Sequence, residues 1–138
     1  MSRTLTLSVL IPWRDWPPAR VQACLSRLAA QTFPIHEVLI GALGDPDALL
    51  QSWAVPCQRV RICEGPTDGP WNRALALNVA ARAATTTHLL AIDADTLFAH
   101  PGVLADLVAE VRQDPTSLWL AECWDVRQRE GVFRVGPP

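Results

Sequence analysis

Leu89-Leu90-Ala91-Ile92-Asp93-Ala94-Asp95, LLAIDAD, is the stretch from which the rest of the chain is read. His88 to Ile92 is a short apolar run of strand length, and two carboxylates follow it at i and i+2. Extended backbone sends residues two apart to the same side, so Asp93 and Asp95 are expected together at the carboxyl end of a central strand. There they face a cleft shared with the loop after Ile11. Paired hard oxygens suit a cation such as magnesium or manganese, which takes few protein carboxylates and completes its shell with phosphate oxygens and water. Asp-Ala-Asp-Thr also suits an ordinary turn and helix cap, so the pair alone leaves both readings open.

Working outward, Leu5 to Ile11, LTLSVLI, is a continuous apolar run ended by Pro12, the pattern of a strand buried on both faces. Pro17 and Pro18 open a helix that runs to about Ala30 and sets Val21, Cys24, Leu25 and Leu28 on one face. Glu37 to Ile40 reads as a second strand, Asp45 and Pro46 as the start of a short helix through Trp53, and Val60 to Cys63 as a third strand. The turn-rich Gly65-Pro66-Thr67-Asp68-Gly69-Pro70 precedes a helix from Asn72 to Ala84. After the Asp-x-Asp stretch come a helix from Pro101 to Arg112, a fifth strand from Ser117 to Cys123, and a hairpin or frayed end from Asp125 to Pro138. Strands alternating with helices over short connections predict an α/β fold, a mostly parallel sheet with helices on both faces. Such sheets bind ligands beyond the carboxyl ends of their strands.

Composition narrows the function classes. A chain of 138 residues, 49% hydrophobic, can bury one core, so a single domain over residues 1–138 is expected. With 12 basic residues against 14 acidic ones there is no basic excess for nucleic-acid binding. Lysine is absent, which excludes a phosphate-loop lysine and Schiff-base chemistry. The four cysteines, 24, 57, 63 and 123, form no CxxC pair, so no structural zinc site is indicated and a reducing, cytoplasmic setting is expected. The run near the start is too short to span a membrane and lacks a cleavage site after it.

Four stretches then carry a resemblance: LSVLIPWRD at Leu7–Asp15, CLSRLAAQTFPIHEVLI at Cys24–Ile40, WNRALALNVAARAA at Trp71–Ala84, and LLAIDADTLFAHP at Leu89–Pro101. In order and spacing the chain, to about residue 112, resembles the amino-terminal portion of family 2 glycosyltransferases, which carry the Rossmann-like GT-A fold. The resemblance implies the nucleotide-sugar-binding half of such an enzyme, lacking the acceptor half that supplies the general base. It implies a nucleoside diphosphate sugar donor, a divalent cation (Mn2+ or Mg2+) held by Asp95 and Asp93, and an unnamed acceptor. It places Pro12, Trp13 and Arg14 against the nucleotide, where Trp13 either stacks on a base or packs on a neighbouring loop. Arg73 either meets phosphate oxygens or makes a solvated salt bridge. Asn78 either braces the Asp-x-Asp loop or touches ligand, and His100 reads as a cap rather than a metal ligand.

Two departures limit what the resemblance transfers. The aspartates usual after the second strand are replaced by Ile40-Gly41-Ala42-Leu43-Gly44-Asp45, leaving the base open, with Asp45 or Asp47 as substitutes. Glu122 and Asp125 are the later carboxylates of note, and neither is assigned as base. The competing expectation is a catalytically silent module that binds a nucleotide or a partner. Apolar side chains around Trp119 and Trp124 are expected to be unusually exposed.

Overall fold

Seven consecutive residues with no exposed side chain, Leu7–Trp13, form the first strand, β1. In the computed structural model, which describes residues 4–47 and 60–120 and the backbone of 125–129 and 132–136, β1 is paired on both sides. The helix α1 (Pro18–Ala29) follows, then β2 (Glu37–Ala42), β3 (Val60–Glu64), α2 (Arg73–Ala83), β4 (His88–Ala91) and α3 (Val103–Gln113). Two further strands, β5 (Asp125–Arg129) and β6 (Val132–Gly136), form an antiparallel hairpin. The remainder of the short helix expected through Trp53 lies outside the described residues.

β3, β2, β1 and β4, in that order, form an all-parallel sheet. Period-2 alternation divides β1 between two cores. Leu7, Val9, Ile11 and Trp13 pack with Val21, Cys24, Leu25 and Leu28 of α1, while Leu10 packs with Leu39 and with Ala80 of α2. Helices therefore cover both faces, as expected of a GT-A-like α/β fold. α1 starts at Pro18, whose missing N–H costs nothing in the first turn. α2 is capped by Asn72, whose Oδ1 accepts from Leu75 N–H at 2.9 Å. Its alanines allow close approach to β2, and a Cβ on Gly41 would lie 1.9 Å from the Ala76 carbonyl oxygen.

At the amino end of the sheet, Glu37 is buried with 4% of its surface exposed and joins four segments. Its Oε1 accepts from the Ser8 hydroxyl at 2.7 Å, from Thr85 N–H at 2.8 Å and from the Thr85 hydroxyl at 3.1 Å. Its Oε2 accepts from Arg61 at 2.7 Å, and the same Arg61 nitrogen donates to the Ala83 carbonyl at 2.8 Å. Burial by itself raises the carboxyl pKa. The hydrogen bonds from Thr85 N–H, Ser8, Arg61 and the Thr85 hydroxyl more than offset it and bring it down to about 2.

Three expectations are corrected. β1 continues past Pro12, whose Cα pairs with Gly41, to Trp13. A proline at the carboxyl end of a strand forfeits one donor without breaking the register. Among the described residues β4 has β1 as its one neighbour, so it stands at an edge of this sheet rather than at its centre. Ser117–Leu120, the described part of the expected fifth strand, is not a strand, because no neighbour among the described residues offers it a ladder. That segment instead begins in a turn organised by Asp114, which accepts from the Ser117 and Thr116 hydroxyls.

The chain divides into two compact units, Met1–Ala105 and Asp106–Pro138. In the second, Leu118 and Leu120 are 87% exposed and Trp119 is 37% exposed, with its indole N–H on the Asp114 carbonyl. Trp124 lies outside the described residues. No described helix is long and apolar enough to cross a membrane.

Candidate active site

Strand order reverses at β1. The chain moves from β1 out to β2 and β3, then returns through α2 to place β4 on the other side. The carboxyl ends of β1 and β4 lie side by side there, at the end of the sheet where open α/β folds take ligands. The loop from Arg14 leaves one side of this point and Asp93-Ala94-Asp95 the other.

The Asp-x-Asp loop continues the alternation of the strand before it. Ile92 N–H donates to the Leu10 carbonyl at 3.0 Å, keeping the β1–β4 ladder going one residue past β4. Ile92 and Ala94 are buried in the α1-side core, whereas Asp93 and Asp95 are exposed. Anchoring alternate apolar residues turns both carboxylates outward. Thr96 N–H closes the turn on the Asp93 carbonyl at 3.0 Å. Beneath it, the buried Cys24 thiol lies 4.0 Å from that carbonyl. Burial, followed by the negative charge of Asp95, pushes the Cys24 thiol up to about 12, so it remains a protonated packing group.

Arg73, the first residue of α2, closes the other side. Its Nε donates to Asp93 Oδ1 at 2.8 Å, with the two side chains 50% and 60% exposed. The solvated salt bridge considered for Arg73 is therefore present, and its partner is the first aspartate of the motif. The start of α2 also carries the partial positive charge of a helix amino end, where Asn72 takes the Leu75 N–H.

The residues expected against a nucleotide occupy different roles. Trp13 is 1% exposed and belongs to the core beside Ile11, with its indole N–H donating to the Trp16 carbonyl at 3.1 Å. Its ring has no open face, so of the two roles left open for it, stacking on a base and packing on a loop, stacking is overturned. Because β1 extends two residues beyond Ile11, Trp13 keeps the inward parity of Val9 and Ile11. Pro12 is buried in the strand. Arg14 donates to the Gly69 carbonyl at 2.8 Å and the Thr67 carbonyl at 3.1 Å. Trp16, 38% exposed, carries Arg20 over its ring at 5.0 Å, and Trp71 is 45% exposed two residues before Arg73.

Asn78 is exposed on α2, and no hydrogen bond among the described residues joins it to the Asp93–Asp95 loop. His100 is a cap, its Nδ1 accepting from Gly102 N–H at 3.1 Å. Asp45 Oδ1 accepts from Asp47 N–H at 3.0 Å, the cap geometry expected of it. Glu122 lies outside the described residues, and Asp125 begins β5. The contact of Arg14 with the 67–69 turn was not anticipated. Its only trace in the sequence is the pair of glycines and prolines that mark a turn.

Among the described residues no three His, Cys, Asp or Glu side chains gather as a metal cage. Two exposed carboxylates with no third protein ligand still fit a hard cation that is shared with phosphate oxygens, as magnesium commonly is. Comparison with curated proteins gives no match. The family model described as Glycosyl transferase family 2 matches residues 8–135, from the second residue of β1 through most of β6. This chain therefore belongs to glycosyl transferase family 2.

Proposed function

We propose that the crevice between β1 and β4 is the donor site of a glycosyltransferase using a nucleoside diphosphate sugar. Asp93 and Asp95 take a divalent cation, magnesium or manganese, and Arg73 meets the diphosphate. The observation that carries this reading is the geometry of Asp93. It is turned out beside Asp95 by the buried Ile92 and Ala94, and its Oδ1 is held 2.8 Å from Arg73. Arg73 at the start of α2 meets Asp93, and Asp95 is exposed on the same loop, a set suited to a cation and a diphosphate bound together. The bound cation supplies charge neutralisation for the departing diphosphate.

Within that site Pro12 and Trp13 form a buried support, and Arg14 holds the adjoining wall. Residues 1–138 are read as one donor-binding domain, whose acceptor is a hydroxyl-bearing molecule of unassigned identity. The free thiols of Cys24 and Cys63 suit the reducing cytoplasm, where we place the protein.

Calorimetry with uridine and guanosine diphosphates, with manganese or with chelator, tests the reading. Asp95→Ala is expected to weaken binding about tenfold or more with the metal present, and much less in chelator. Equal loss in both conditions, or no binding of either nucleotide by the unaltered chain, overturns it. Binding with no transfer to any acceptor favours the silent-module alternative.

A further inference from the structure

We propose that Arg14 is a positioning residue: its guanidinium holds the Thr67–Gly69 turn in place, and through that turn the approach to Arg73, without itself contacting the donor. The ligand arm of this proposal rests on the donor-site reading above.

An arginine carries five donors on a rigid plane, and a donor committed to the protein is withdrawn from a ligand. Two nitrogens of Arg14 serve carbonyls two residues apart, Thr67 at 3.1 Å and Gly69 at 2.8 Å. The third, Nε, faces Asp15 Oδ2 at 3.8 Å. The side chain is 23% exposed, less than half the exposure of Arg73. Its stem is backed by the loop after β2: a Cβ on Gly44 would stand 3.4 Å from Arg14 Cγ and 2.9 Å from Asp15 Oδ1. Both ends of Arg14 are thus engaged.

The turn needs such a hold. Pro66 and Pro70 lack N–H groups, and Gly69 sits at φ +93°, a conformation that glycine adopts without steric cost. Gly65 N–H is tied to the Ala42 carbonyl at 2.8 Å, and at the far end Asn72 caps α2. Among the described residues, the hydrogen bonds that hold the segment between these anchors come from Arg14. That segment leads through Trp71 directly to Arg73 and its bond to Asp93. Fixing two carbonyls of the turn therefore limits where the start of α2 and its arginine can lie.

The test compares Arg14→Lys, which keeps the charge but loses the fork, with Arg14→Gln, and uses Arg73→Gln as the contrast. NMR order parameters of the Thr67, Asp68, Gly69 and Trp71 amides are expected to fall below about 0.6 in both Arg14 variants, with those of β1 unchanged. Affinity for uridine or guanosine diphosphate with manganese is expected to fall about fivefold in both, with the salt dependence of the unaltered chain. Arg73→Gln is expected to flatten that dependence, as loss of a phosphate contact does. Rescue of affinity by lysine, or order parameters that stay high, overturns the proposal. Should neither nucleotide bind the unaltered chain, the donor-site reading fails, and the order parameters alone decide whether Arg14 holds the turn.

Discussion

Arg73 Nε lies 2.8 Å from Asp93 Oδ1, joining the start of α2 to the loop that leaves β4. Both groups are at least half exposed, so solvent screens their attraction. An exposed pair of this kind contributes about 0 to 1 kcal/mol to folding. Under the proposed donor-site reading, its value lies in holding a cationic and an anionic side chain where a ligand can use both.

Arg73→Gln is accordingly expected to shift stability by no more than about 1 kcal/mol while lowering nucleoside diphosphate affinity about tenfold. Thermal unfolding and calorimetry on the same sample check the split. A large fall in melting temperature would assign Arg73 to the fold instead.

Glu37 sets a stability term with a defined pH window. Its pKa is about 2 in the folded chain against an ordinary 4.5, so the folded state favours the carboxylate. This contribution is fully present above pH 4.5 and is lost as pH falls through about 2. The shift corresponds to about 3 kcal/mol. Glu37→Gln is expected to remove a contribution of that order at pH 7, and the gap between variant and unaltered chain should narrow as pH drops below 4.5. Urea unfolding at a series of pH values measures it, and a gap independent of pH would contradict the assignment.

Gly41→Ala probes the packing of α2 on β2. The added carbon would meet the backbone oxygen of Ala76 at 1.9 Å, and a backbone atom cannot rotate away as a side chain can. Overpacking at such a contact costs about 1 to 3 kcal/mol or more. A lowered denaturant midpoint is expected, together with weaker nucleotide binding, because α2 carries Arg73 at its first residue. An unchanged midpoint would show that the helix moves off the sheet without cost.

Much of the fold is legible because its rules are local. The face Val21, Cys24, Leu25 and Leu28 is read from period 3.6, and all four side chains are buried. Outward Asp93 and Asp95 follow from period 2 once Ile92 and Ala94 are taken as inward. Trp13 was misread for one local reason, since ending the strand at Pro12 releases the tryptophan from a parity that the strand in fact carries through it. The described part of the expected fifth strand, Ser117–Leu120, is not a strand, since an apolar run specifies one only when a neighbour offers hydrogen bonds.

What the sequence by itself determined is the order of elements, the parallel α/β class and the resemblance that the family match bears out. Periodicity and chain connectivity carry that information along the chain. Tertiary structure alone decided that β4 lies beside β1, that Arg73 reaches an aspartate 20 residues away, and that Arg14 spans more than 50 residues to the 67–69 turn. It also brought Glu37 to Ser8, Arg61 and Thr85. These are contacts of polar groups whose partners are set by strand order and helix placement. A charged residue leaves no periodic trace of its partner in the sequence, and only the folded backbone brings the two within hydrogen-bonding distance.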